Sequence, residues 1–259
     1  MKGNENTAIC IVGNFSYIRK YYKKLLDQLT TAGKYSGDLV LITGKYTPTF
    51  HLKKYKNINL KILRFSKIKF TEFAETNLRN LKIDLNRHIY RNFQWYKINL
   101  FDEKMKNWDF IFYLDLNMNI HFDINELLNA KKARTLLARE DAYPTFEWCL
   151  EDQFDKTNKI FKSLEKEYDL SINDYFQTGV LFYDTSIINN ETKREIIDLV
   201  NTYPISKTNE QGIFNLYFIY HKKNYETLPI NVGEYMSYYY WKIKNKKIII
   251  TKASKENTN

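Results

Sequence analysis

Glycine and proline are scarce in this chain, eight and four among 259 residues, and there is no repeat, low-complexity tract or clear linker. Cysteine is scarcer still. Cys10 and Cys149 lie in no Cys-x-x-Cys or Cys/His cluster, which argues against a zinc site. Cys10 falls inside the apolar run Ala8–Val12 and reads as a small core residue; a disulfide has no support. None of the four histidines (His51, His88, His121, His221) stands at ligand spacing from another. No run approaches the roughly 18 apolar residues of a membrane span. The opening residues, MKGNENTAIC, lack the long apolar stretch of a signal peptide. The expected setting is reducing and cytoplasmic.

What is present describes a globular protein. Apolar residues make up 44% and charged residues 27%, outside the disordered range. A single α/β domain of this length buries a full core without staples. The net charge of +10 has two readings: a lysine-rich face in water, or attraction to an anionic partner such as a nucleoside diphosphate, a membrane surface or nucleic acid. Nucleic acid is the weakest of these. No nucleic-acid motif is present, and the abundant aromatics lie largely on predicted core faces.

The pattern along the chain alternates strand and helix. Ala8–Val12 is a continuous apolar run, as in a buried parallel strand. Residues 17–32 carry apolar side chains at helical spacing, and Gly33 ends the run. Strands are predicted over 38–43, 60–65, 109–114, 135–139, 175–183 and 247–251. Helices are predicted over 85–101, 156–167, 191–200 and from Asn209, as cap, to about Tyr220. Asp123-Ile124-Asn125-Glu126 fits a capping box for a short helix through Leu128. Tyr235–Lys247 is expected to be a helix with one face on the core, the alternatives being an acceptor platform or a peripheral membrane patch. Strand-helix-strand order implies right-handed crossovers and a mostly parallel sheet flanked by helices.

The sharpest feature is Phe110-Ile-Phe-Tyr-Leu-Asp115-Leu-Asn117. A buried strand ends on an acid, and in open α/β sheets ligands gather at the carboxyl ends of strands. Asn117 lies two residues on, on the same side. A carboxylate and a carbonyl oxygen suit Mn²⁺ or Mg²⁺ bound to phosphates; the plainer reading is an acid that opens a loop.

This segment resembles the metal-binding motif of GT-A glycosyltransferases, especially the glycogenin and galactosyltransferase-like family, family 8. Further pieces are similar and in the same order: Asn14-Phe-Ser-Tyr17, Lys97-Ile-Asn-Leu-Phe101, Tyr175-Phe-Gln-Thr-Gly-Val-Leu181, Asn209-Glu-Gln211 and Leu228-Pro229. The resemblance spans roughly residues 8–240. It implies a single GT-A domain with a Rossmann-like nucleotide-binding half (8–130), an acceptor and catalytic half (131–250) and a tail (252–259). It implies a nucleotide-sugar donor, a UDP-sugar foremost, and a glycan, protein or lipid-linked acceptor. By the same resemblance Tyr17 stacks on the base, Val12 and Asn14 border it, and Lys97 and Lys252 meet the diphosphate. Asp115 and Asn117 hold the metal. Gln177 and the Gly179 backbone flank the donor sugar, and Glu210 and Gln211 lie beneath the anomeric carbon, with retention favoured. Each has a plainer reading: Tyr17 packing on its helix, Lys97 in solvent, Gly179 as a bulge, Glu210 as a helix cap.

Two departures stand out. The second acid of the motif is here the neutral Asn117. The late histidine of the family is absent from Ile250-Thr-Lys252-Ala-Ser-Lys255, where Lys252 or Lys255 can offset phosphate charge directly. His121, six residues past Asp115, is a candidate substitute ligand. The departures also support a second reading, a non-catalytic GT-A domain that binds nucleotide sugars or glycans. Arg139–Pro144 is a polar cluster suited to sugar hydroxyls, or an exposed turn.

Overall fold

The computed structural model describes residues 6–54, 58–84, 87–88, 93–240, 243 and 245–252. Its strands, in chain order, are β1 (Thr7–Val12), β2 (Asp38–Gly44), β3 (Asn59–Phe65), β4 (Lys82–Asp84), β5 (Arg87–His88), β6 (Phe110–Leu114) and β7 (Asn119–Ile120). They continue with β8 (Leu136–Glu140), β9 (Phe176–Asp184), β10 (Tyr225–Thr227), β11 (Asn231–Val232), β12 (Tyr235–Tyr239) and β13 (Ile248–Thr251). The α-helices are α1 (Phe15–Thr30), α2 (Glu72–Asn80), α3 (Asn125–Leu128), α4 (Phe161–Glu167), α5 (Thr192–Thr202) and α6 (Glu210–Asn215).

Seven strands form the central sheet in the order β10-β8-β9-β6-β1-β2-β3. Only β9 runs antiparallel to its neighbours, β6 and β8. The apolar runs of β1, β2 and β6 are buried on both faces, as parallel strands between helical layers must be. Ile9 and Ile11 pack in the layer of α1, and Cys10 and Val12 pack in the layer that holds α5 and α6. Cys10 is a fully buried free thiol, as expected of a core residue, and burial pushes its thiol up.

The predicted strands of this sheet and the helices near 17–32 and 191–200 are all present, within a few residues of their expected ends. Other elements differ. Residues 94–101 form a 3₁₀ helix, and Arg87–His88 pairs with β4 instead of starting a helix; residues 85–86 and 89–92 of that prediction lie outside the described residues. In the tighter 3₁₀ winding Trp95 and the whole stretch Lys97–Phe101 are buried, so no single apolar stripe is needed. The helix predicted over 156–167 is confined to α4. The expected capping box does not form: α3 is preceded by Ile124, which makes no side-chain cap bond, and Asp123 Oδ1 accepts instead from the Asn125 N–H two residues on (3.0 Å). Asn209 precedes α6 at φ +58° and makes no side-chain cap bond, because that left-handed backbone is not the extended cap conformation. Beyond α6 the helix loosens into a π turn over Leu216–His221.

Tyr235–Tyr239 is a strand, not the expected helix. It pairs with β11 and β13 in a second sheet, ordered β11-β12-β13-β7, where its aromatic side chains suit a pleated surface. The pairing that matters for function is β13 with β7, Thr251 opposite Asn119. It carries Lys252, the residue after β13, to the loop that follows Asp115.

Candidate active site

A cleft of about 690 Å³ opens at the carboxyl ends of β1 and β6 and is lined by Val12, Asn14, Tyr17, Lys97, Asp115, Asn117 and Lys252, among others. The structure therefore brings together the residues expected around the nucleotide and the diphosphate. Asn14 is the cap of α1: its Oδ1 accepts from the Tyr17 N–H at 2.9 Å. That cap sets the first turn of the helix, and Tyr17, 39% exposed, stands at the cleft against Tyr21.

At the floor of the cleft four charges alternate. Buried Lys97 holds Glu210 Oε1 at 2.7 Å and Asp115 Oδ1 at 3.0 Å. Asp115 Oδ1 also accepts from the Tyr113 hydroxyl (2.6 Å), which the two-residue repeat of β6 puts on the same face. Lys252 Nζ closes the row on Asp115 Oδ2 at 2.5 Å. Burial alone would raise the Asp115 carboxyl; the Lys252 and Lys97 ammonium groups outweigh it and hold the acid well below the usual carboxylate range. Burial would lower Lys97, and Asp115 and Glu210 reverse that and push it up. Lys97 is thus neither solvated nor a lone phosphate ligand.

Thr178 of β9 joins this row to α6. Its hydroxyl donates to Glu210 Oε1 (2.8 Å), and its N–H donates to Gln211 Oε1 (3.2 Å). Gln211 Nε2 donates to Asp141 Oδ2 (3.0 Å) and Gln153 Oε1 (2.8 Å). Glu210 Oε2 is buried with no hydrogen-bond partner among the described residues. Gln177 accepts from the Tyr238 hydroxyl (2.9 Å) and lines an adjoining cavity of about 290 Å³ with Arg139, Asp141 and Tyr240; Tyr240 also lines the cleft. Burial pushes the Asp141 carboxyl up, against the hydrogen bonds of Gln211 and Gln153. A Cβ on Gly179 would meet Met118 Cε at 2.7 Å, so the missing side chain makes room for Met118, while the Gly179 carbonyl accepts the Asp115 N–H (2.8 Å).

Tyr113, Thr178, Gln153 and Tyr238 escaped the sequence reading. Only Tyr113 left a signal, its two-residue spacing from Asp115. The expected metal pair, Asp115 and Asn117, does not compose a divalent-cation site. Both Asp115 oxygens are bound to ammonium groups, Asn117 is neutral, and among the described residues no three acidic, histidine or cysteine side chains cluster as ligands. His121 bonds instead to the Thr251 hydroxyl at 2.9 Å.

No family model and no curated protein matches the sequence. Solved structures do. The galactosyltransferase LgtC, solved with donor and acceptor sugar analogues, is 12% identical with a TM-score of 0.54 over 85% of this chain and 72% of its own. Mouse xyloside xylosyltransferase 1 is 10% identical with a TM-score of 0.54 over 96% and 97%. GlyE of Streptococcus pneumoniae TIGR4 is 16% identical with a TM-score of 0.53 over 87% of this chain; the chain spans 45% of GlyE, and 47% of the bifunctional glycosyltransferase WbbM. These structures are GT-A glycosyltransferases, LgtC being of family 8, and the chain has the GT-A fold.

Proposed function

We propose that the protein is a glycosyltransferase that moves a sugar from a nucleotide-sugar donor, a UDP-sugar foremost, to a glycan, protein or lipid-linked acceptor. The observation that carries this reading is the convergence, at the carboxyl end of a GT-A sheet, of an exposed aromatic (Tyr17), two lysines on one carboxylate (Lys97 and Lys252 on Asp115) and a polar cavity beyond them. Tyr17 stacks on the base, with Val12 and Asn14 at its edge. The lysine row faces the diphosphate, where negative charge grows as the sugar departs. The sugar lies toward Gln177 and Asp141, which line the adjoining cavity. Gln211, whose carboxamide is fixed at both ends, positions the anomeric carbon, and we favour retention of configuration.

Asp141 separates the donor-sugar cavity from a second cavity of about 330 Å³ lined by Trp148, Tyr175, Gln153 and Lys207. Trp148 is 59% exposed, and a pyranose face packs on such a ring, so we place the acceptor there. The test is a panel of UDP-, GDP- and CMP-sugars with simple glycan acceptors, scored for released nucleotide and, by proton NMR, for the new anomeric linkage. Transfer from one donor supports the reading. Binding without release favours the non-catalytic domain that Asn117 motivates. A folded protein that neither binds nor turns over any donor overturns both.

A further inference from the structure

We propose that the Lys252 ammonium, fixed by Asp115, stands in for a divalent cation at the donor diphosphate, so that donor binding needs no metal. This inference rests on the donor-site reading above and deepens it. Both oxygens of Asp115 are committed to ammonium groups, Oδ1 to Lys97 and Oδ2 to Lys252. A Mn²⁺ or Mg²⁺ ion seeks about six oxygen ligands. Here it would have to displace an ammonium from the carboxylate and then lie beside two positive charges, with only the neutral Asn117 to assist.

Lys252 is itself built into place. Its N–H donates to the Tyr240 carbonyl (3.1 Å), and its carbonyl accepts from Asn119 Nδ2 (3.2 Å). The first contact continues the pairing of β13 with β12, and the second lies at its pairing with β7. The side chain is 27% exposed and lines the cleft. An ammonium has three N–H donors. Asp115 takes one, and the cleft side is left for phosphate oxygens. Behind Asp115, Lys97 and Glu210 continue the alternation, and Lys252 cannot swing away without leaving Asp115 Oδ2 without its ammonium partner. A cation fixed before the reaction needs no reorganisation when the diphosphate leaves. Asp115 is then a positioning residue for Lys252, not a metal ligand.

Calorimetric titration with UDP, GDP and CDP decides this, in EDTA and again in Mn²⁺ or Mg²⁺, on the parent, Lys252→Met, Lys252→Arg and Asp115→Asn. At least one nucleoside diphosphate is expected to bind the parent in EDTA, with added metal changing Kd by less than about threefold. Loss of a charge-assisted bond to phosphate should weaken binding about 10- to 100-fold in Lys252→Met. Lys252→Arg, which keeps the charge, should stay much closer to the parent and so guards against a misfolded variant. Asp115→Asn should weaken binding in EDTA through Lys252. Binding that appears only with metal, or that Lys252→Met leaves unchanged in EDTA, overturns the inference and leaves the donor site standing. No binding of any nucleotide under any condition overturns the donor site as well.

Discussion

Lys97 sits between Asp115 and Glu210 with almost no access to water. A buried charge with two carboxylate partners is costly to remove, because its partners remain. Lys97→Met should cost about 3 kcal/mol in urea unfolding; a loss under about 1 kcal/mol would place the ion pair in solvent. Asp115 makes a matching statement in pH. Its carboxyl stays ionised in the folded chain at pH values where the unfolded chain takes up a proton. The resulting stability is complete above the unfolded value of about 4 and is lost as pH falls toward the lowered folded value. Asp115→Asn should therefore flatten the fall in stability below about pH 4, and an unchanged acid slope would contradict the pairing. Trp148→Ala should raise the acceptor KM about tenfold, by loss of a stacked ring, with little effect on donor hydrolysis. Asp115 was legible because an acid at the end of a buried apolar strand has few uses, whereas Lys97 was picked out only by the family resemblance. Tyr238 and the anchoring of Lys252 were not: their partners lie 61 and 137 residues away, and nothing local marks them.

Elements place these residues, and in α6 a glycine is the sensitive point. In α6, a Cβ on Gly212 would lie 2.7 Å from Ser206 Oγ and 3.0 Å from Phe154 Cζ, both buried. Alanine gains about 1 kcal/mol of helix propensity, and overpacking of about 1–3 kcal/mol outweighs it. Gly212→Ala should lower the urea midpoint and, by shifting the neighbouring Gln211, slow transfer. Gly179→Ala meets only the end of the flexible Met118 chain and should change stability by less than about 1 kcal/mol. The sheet strands were readable because their apolar runs are covered on both faces. The segments 94–101 and 235–239 were not. One winds as a buried 3₁₀ helix around Lys97, and the other pairs as a strand with β13 far along the chain; in both, tertiary contacts overrode a local period.

For the whole molecule, the cleft proposed for the donor belongs to a chain of net charge +10. Several of the other lysines are in exposed pairs such as Lys132 with Glu226 or Lys156 with Glu151, which add little stability and are screened by salt. A net positive charge favours anions, so the proposed nucleotide affinity should fall as ionic strength rises past the roughly 10 Å screening regime of 0.1 M salt. The direct measurement is thermal stabilisation of the intact protein by UDP, GDP and CMP and their sugars, set beside Tyr17→Ala. Saturable stabilisation by one nucleotide class, weakened about tenfold by loss of the stacking ring, is expected. A folded parent whose melting temperature no nucleotide moves would contradict a donor site in this cleft.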